Sequence, residues 1–323
     1  MSRILHQVAI IGAGQLGRRH LQGLLKSKQP LSIHIVDPSD PSRRAVEDFL
    51  RSPEAGATPP VRVHATIEAL PAELSLAVVA TTAAQRLDAI GQLLRASRVR
   101  DLVLEKFLFN DSRQYAEAEL LFGAYGCRTW VNTPRRHFDV YRQLRRQLDS
   151  DRLLQFTADG GDWGLCCNAV HFVDLAQFLA GASELRDLRP RFDAGVLPSK
   201  REGYVELTGE IEGMVGPTRF LVRSIRGSTK PITLTLHCER QTVFVAEGAG
   251  VLSRVGEGPL ETEAFRLPYQ SEMTGTIADQ LLGTGTCDLT PYAESRAAHL
   301  PLLYAFAAQA GQLDGEHARC AIT

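Results

Sequence analysis

A chain of 323 residues, 44% hydrophobic and 23% charged, has the make-up of a globular protein and is long enough for two domains. Its 36 basic and 37 acidic side chains nearly cancel, so no net field favours nucleic acid or an anionic membrane, and no apolar run approaches the ~20 residues of a membrane helix. Six scattered cysteines without a Cys-x-x-Cys pair argue against a disulfide framework and a zinc site, and a strand pattern beginning by Val8 leaves no room for a signal peptide; a cytoplasmic, metal-free protein is expected.

Gln7 to Ile11 reads as a buried strand, and Gln15 to Lys26 as a helix with Leu16, Leu21, Leu24 and Leu25 on one side. Ser32 to Val36 is a second strand, and Ser42 to Leu50 a helix entered through the turn residues Pro38-Ser39-Asp40-Pro41. Val61 to His64 is a third strand, followed by a brief helix with Thr66 at its N-cap. Leu74 to Ala80 and Asp101 to Leu104 are apolar runs separated by a helix from Gln85 to Ala96. Asp111 heads a helix that runs to Ala124, and Arg128 to Val131 makes another strand. Apolar strands alternating with helices imply a parallel sheet covered on both faces, a doubly wound α/β domain over residues 1–133.

The pattern changes in residues 134–323. A helix from Phe138 to Leu148 leads to a strand at Leu153 to Thr157, and a helix from Asn168 to Leu179 stops at Gly181. In Tyr204 to Glu212, Val205, Leu207 and Ile211 oppose Glu206, Thr208, Glu210 and Glu212. Ile232 to Cys238 alternates in the same way, the signature of an antiparallel sheet with one covered face. Helices at Glu272 to Leu282 and Tyr292 to Ala310 close the chain, so the second part is an α/β domain built on an open, mostly antiparallel sheet.

Gly12-Ala13-Gly14-Gln15-Leu16-Gly17 follows the first strand and opens a helix. The first glycine permits a tight turn, the second lets a pyrophosphate approach the backbone, and the third lets helix pack on strand; the free N–H groups at the helix head attract the anion. Asp37 ends the second strand, where a carboxylate accepts hydrogen bonds from an adenosine ribose and repels a 2′-phosphate. NAD is therefore favoured, with NADP left open through the neighbouring Arg43 and Arg44.

The loop continues through Arg18 and Arg19 to His20, Glu105-Lys106 ends the fifth strand, and Gly164 to Gly181 reads Gly-Leu-Cys-Cys-Asn-Ala-Val-His-Phe-Val-Asp-Leu-Ala-Gln-Phe-Leu-Ala-Gly. Together these resemble the glucose–fructose oxidoreductase / inositol dehydrogenase family, Gfo/Idh/MocA, over nearly the whole chain. The resemblance implies an N-terminal Rossmann domain and a C-terminal domain whose open sheet forms a homodimer or homotetramer interface. It also implies Lys106 between nicotinamide and substrate, Glu105 and Thr81-Thr82 on the cofactor side, and His171 as the group that donates or accepts the substrate proton. Two positions depart from the family pattern. Phe107 stands where the motif has proline, and Cys167 stands where many members carry an aspartate four residues before the histidine.

A histidine suits proton transfer because its ordinary pKa of ~6.5 lets it work in both directions. Lys106 can polarise the reacting oxygen and stabilise alkoxide character. Asn168 is a candidate for binding substrate hydroxyls, and Trp163 offers an aromatic face to a sugar ring. Cys167 lies on the same helical face as His171, and Arg136 can meet an anionic substrate group. The leading expectation is an NAD(P)-dependent dehydrogenase acting on a hydroxyl of a small sugar-type substrate, nucleotide-linked sugars included. Redox-neutral glycoside hydrolysis or epimerisation with a tightly held NAD, and a non-enzymatic dinucleotide-binding regulator, are the alternatives.

Overall fold

The computed structural model describes residues 5–56 and 58–322. The chain divides into two units, residues 1–109, 113–132 and 268–292 in the first and residues 110–112, 133–267 and 293–323 in the second. The division at 133/134 drawn from the sequence assigned residues 268–292 to the second domain; in the structure they pack with the first.

In the first unit β1 (His6–Ile11), β2 (Leu31–Val36), β3 (Val61–His64), β4 (Glu73–Val79), β5 (Arg98–Leu104) and β6 (Arg128–Val131) all pair in parallel, in the order β6-β5-β4-β1-β2-β3. Every residue of β2 and the last four of β1, β4 and β5 are buried, which is why these strands read as unbroken apolar runs. The connecting helices are α1 (Gln15–Leu24), α2 (Asp40–Arg51), α3 (Ala83–Ala96) and α4 (Arg113–Tyr125). α2 starts two residues earlier than the sequence suggested, because Ser39 caps it and Pro41 sits in the first turn, where a missing N–H costs nothing. The expected helix after Thr66 is a single 3₁₀ turn, Ile67–Ala69.

The second unit holds α5 (Asp139–Gln147), β7 (Leu153–Gly160), α6 (Leu165–Ala180), β8 (Leu185–Phe192), two short strands β9 (Leu197–Pro198) and β10 (Val205–Glu206), then β11 (Gly209–Val215), β12 (Thr218–Ser224), β13 (Thr233–Cys238), β14 (Thr242–Ala246), β15 (Val251–Val255) and β16 (Glu261–Ala264). Eight strands form one sheet in the order β16-β15-β14-β13-β7-β12-β11-β8. All its pairings are antiparallel except β7 with β12. Phe156, Phe220, Val222, Leu234, Leu236, Val243, Val245 and Leu252 are buried on one face, and α6 packs against β7, β11 and β12. Tyr204 to Glu212, expected as one strand, is two. Gly209 breaks it at φ +117°, and an added Cβ there would lie 2.4 Å from the Arg191 carbonyl oxygen, so only glycine fits.

The chain then returns to the first unit through α7 (Gln270–Thr284) and β17 (Thr290–Pro291), which adds an antiparallel strand beside β6; α8 (Tyr292–Gln309) follows. Gly23 is why α1 and α7 can lie so close, since a Cβ at that position would stand 2.8 Å from the Thr274 Cβ. Among the described residues no helix is long and apolar enough to cross a membrane.

Candidate functional site

β1 and β4 are neighbours in the sheet but not in the chain, and at such a switch point the strand ends open a ligand crevice. Gly12 turns there at φ +97°, its missing Cβ leaving only 3.1–3.2 Å to the backbone of Ala80 and Thr81. At Gly17 a Cβ would sit 1.9 Å from the Gly12 carbonyl oxygen, so glycine is what lets α1 start directly on the loop. A Cβ on Gly14 would meet nothing within 4 Å, because this residue faces the open crevice. Gln15 and Leu16 open α1, both exposed, with the first N–H groups of the helix lacking partners within it.

Asp37 closes the other side. One carboxylate oxygen accepts the Ala13 N–H at 2.6 Å and the other the Ser39 N–H at 2.8 Å. The Ala13 N–H is thereby engaged by Asp37 rather than aimed at a phosphate. Each oxygen keeps lone-pair capacity for a ribose hydroxyl. Arg43, considered for a 2′-phosphate, folds back onto the carbonyl oxygens of Asp37 and Pro38 and onto Asp40, and Arg44 pairs with Asp40. A cleft of about 530 Å³ runs between these walls, lined by Gly12, Gly14, Asp37, Thr66, Thr81 and Thr82 among others. The Thr81 hydroxyl oxygen is buried without a hydrogen-bond partner among the described residues, an unmet polar atom on the wall of a cleft. Tight glycine turn, helix head, carboxylate and unmet hydroxyl together fit a dinucleotide.

Glu105 and Lys106 follow directly on β5 rather than ending it, with Lys106 half-buried. The Lys106–Phe107 peptide bond is cis. The Glu105 carboxylate is fully buried and accepts from His20 Nε2 at 2.8 Å and Asn132 Nδ2 at 2.5 Å. His20 Nδ1 in turn meets the Thr274 hydroxyl at 2.9 Å, and Asn132 reaches Gln270 at 2.9 Å. Burial alone would push the Glu105 carboxyl up, but the His20 hydrogen bond and charge, Asn132 and the Arg86 guanidinium outweigh it and hold the group below its usual range. Glu105 therefore stands as a buried anion joining α1, β6 and α7. His20 gave no sign of this partner in the sequence, because Glu105 is 85 residues away.

In the second unit Cys167, Asn168 and His171 form the less buried strip of an otherwise buried stretch of α6. The helix head carries a residue that the sequence reading passed over. Glu206, from β10, accepts the N–H groups of Cys166 at 2.9 Å and Cys167 at 3.3 Å, a trans cap on the helix that holds His171. Burial and the Glu206 charge push the Cys166 thiol well up, and burial takes Cys320 up to about 12, which makes both inert.

Three residues expected at the substrate have internal work. Asn168 donates to the Trp163 carbonyl at 2.8 Å; Trp163 donates from its ring N–H to the Arg223 carbonyl at 2.8 Å and packs edge-on against Phe172. Arg136 is 8% exposed and pairs with Asp174 at 3.0 Å and Glu294 at 2.9 Å. Its charge is already neutralised, so the geometry opposes the role of anion receptor given to it above. Asp174 is spent on the same pair. Arg135 forms a fork with Glu247 and stacks 4.3 Å over Phe172.

The parallel sheet, the switch-point cleft and the carboxylate at its rim define a dinucleotide-binding Rossmann protein. Residues 6–133 match the model of the Gfo/Idh/MocA family, described as an oxidoreductase family with an NAD-binding Rossmann fold. The match covers the dinucleotide-binding part of the chain, and the first unit contains an NAD-binding Rossmann domain. No curated protein matches the sequence. Among solved structures, UDP-N-acetylglucosamine 3-dehydrogenase GnnA from Acidithiobacillus ferrooxidans superposes with a TM-score of 0.74 at 15% identity, over 93% of this chain and 96% of that one. An oxidoreductase from Agrobacterium radiobacter, solved with NAD+, L-tartaric acid and magnesium, gives 0.74 at 14% over 97% and 98%. The transcriptional regulator Gal80p from Kluyveromyces lactis gives 0.72 at 15% over 93% and 91%. At these identities the likeness is one of fold.

Proposed function

We propose that this chain is an NAD-dependent dehydrogenase that oxidises a hydroxyl-bearing carbon of a sugar or sugar derivative, nucleotide-linked sugars included. The observation that carries it is the cleft of Gly12, Gly14, Asp37 and Thr81 in a unit that also carries Lys106 just after β5. In this reading the backbone from Gly14 to Leu16 holds the pyrophosphate and Asp37 accepts the ribose hydroxyls. Both oxygens of Asp37 face backbone N–H groups and Arg43 is turned away, which supports NAD over NADP. The bound cofactor supplies the hydride acceptor. Thr82 and Glu105 complete the cofactor side, Glu105 by holding the start of the Lys106 loop. Lys106 binds and polarises the reacting oxygen, and His171 takes its proton. Trp163, Cys167 and Asn168 shape the head of α6 for the substrate.

Incubation with NAD+ and a panel of sugars and nucleotide sugars, followed at 340 nm, tests the reading. Lys106→Ala is expected to lose about a hundredfold or more in turnover while still binding NADH. Unimpaired turnover, or loss of NADH binding, would overturn the role. Solvent deuterium entering a sugar with no net NADH points instead to redox-neutral chemistry.

A second reading, a dinucleotide-binding regulator, is favoured by Cys167 in place of the family aspartate and by the likeness to Gal80p. It predicts NADH binding with neither hydride transfer nor exchange. The outer sheet face, with Leu221, Thr235 and an exposed Phe244 beside charged neighbours, supports a homodimer or homotetramer, which light-scattering mass measurement tests.

A further inference from the structure

Arg86 is among the largest fully buried side chains, at 2% exposure, yet it is charged. It stands in the first turn of α3, where a cation opposes the helix dipole. From there its guanidinium reaches back to the ends of two strands. It donates to the Thr81 carbonyl after β4, and to the Phe107 and Leu108 carbonyls after β5, the last at 2.6 Å. Its charge also acts on Glu105. A guanidinium presents its N–H donors in a rigid planar fork, which lets one side chain serve three carbonyls spread over two loops, whereas a lysine's three donors radiate from a single point.

We infer that Arg86 is a positioning residue that clamps the cofactor-wall loop at Thr81 to the peptide that carries Lys106, so that the two loops keep one spacing. The Lys106 loop is then held from both sides. His20 and Asn132 grip the Glu105 side chain before it, and Arg86 grips the carbonyls of the two residues after it. Burying a guanidinium is costly unless its donors are used, and here both terminal nitrogens are used on these loops. The inference rests on the role given to Lys106 above, and extends it to a residue that touches neither cofactor nor substrate.

The test uses the full-length chain with Arg86→Met, which keeps the apolar stem and removes the fork, and Arg86→Lys, which keeps the charge but reaches only part of the three carbonyls. Reductive methylation with ¹³C-formaldehyde puts an NMR reporter on each lysine, and Lys106→Arg identifies the Lys106 signal. Wild type is expected to show one Lys106 signal displaced from the random-coil position. Arg86→Met is expected to bring that signal back to random coil and to weaken NADH binding roughly tenfold, with Arg86→Lys in between. Should Arg86→Met fail to fold, Arg86→Lys decides. A wild-type Lys106 signal together with wild-type NADH affinity in either folded variant overturns the proposal. Loss of the displaced signal in Arg86→Met, alongside full turnover in Lys106→Ala, supports the clamp and overturns only the catalytic role of Lys106.

Discussion

Glycines 14 and 17 lie three residues apart and have opposite reasons for lacking a side chain. Gly17 is required by the protein itself, since its Cβ would sit 1.9 Å from the Gly12 carbonyl oxygen. Gly14 has ordinary backbone angles, φ −61° and ψ −171°, and open space where its Cβ would go. Gly17→Ala is therefore expected to destabilise the fold by about 3 kcal/mol or more, the cost of overpacking a fixed backbone. Gly14→Ala should leave thermal stability within about 0.5 kcal/mol and weaken NADH binding instead. Calorimetric melting with and without NADH separates the two, and equal melting losses would undo the assignment of Gly14 to the crevice. The same distinction explains which candidates were legible at this scale. Gly12, Gly17 and Asp37 have roles set by neighbours a few residues away or one strand over, which motif spacing encodes. Arg136 and Asn168 suggest substrate contacts through their polarity and Trp163 through its aromatic face, whereas the groups that engage them, Asp174, Glu294 and the carbonyls of Trp163 and Arg223, are chosen by packing.

At the scale of elements the pairing of β2 with β3 adds a sensitivity to acid. His34 and His64 stack with their rings 5.3 Å apart and share a hydrogen bond at 3.0 Å, while His34 meets Gln7 at 2.9 Å. Burial, then the His64 and Arg62 charges, lower His34 to about 4 from an ordinary 6.5, and burial and Arg62 lower His64 as well. The folded state thus resists a proton that the unfolded chain accepts, so stability is full above about pH 6.5 and falls as the pH drops towards 4. The His64 carbonyl also accepts the Asp37 N–H at 3.2 Å, which places this loss beside the cleft. Urea denaturation should show wild type weakening between pH 7 and pH 5 more than His34→Gln does; parallel curves would dismiss the pair as the cause. Helix and strand positions were readable from periodicity, but ends were not where a distant group decides them. α6 begins at Leu165 under a cap from Glu206, a residue 40 positions from the Cys166 N–H it accepts. Tyr204 to Glu212 keeps its alternation across a break at Gly209 because each piece is separately half-covered.

At the scale of the whole molecule the first unit is not a contiguous stretch of sequence. α7 packs on α1, with Thr274 meeting His20 and Gln270 meeting Asn132, so residues 1–133 alone leave one side of α1 and the Glu105 network uncovered. A fragment of residues 1–133 is expected to lack a cooperative melting transition and to bind no NADH, and joining residues 268–292 to it should restore both. A stable 1–133 fragment with normal NADH affinity would show that α7 is dispensable. By itself the sequence determined the doubly wound sheet, the glycine turn from Gly12 to Gly17 and the place of Asp37 beside it, because burial periodicity and close-range backbone geometry leave their mark residue by residue. Only the tertiary structure decided which unit residues 268–292 join, that His20 and Asn132 hold Glu105, and that Arg86 spans two loops. Those outcomes depend on buried polar groups finding partners that lie from 5 to 254 residues along the chain, and such matches leave no local period to read.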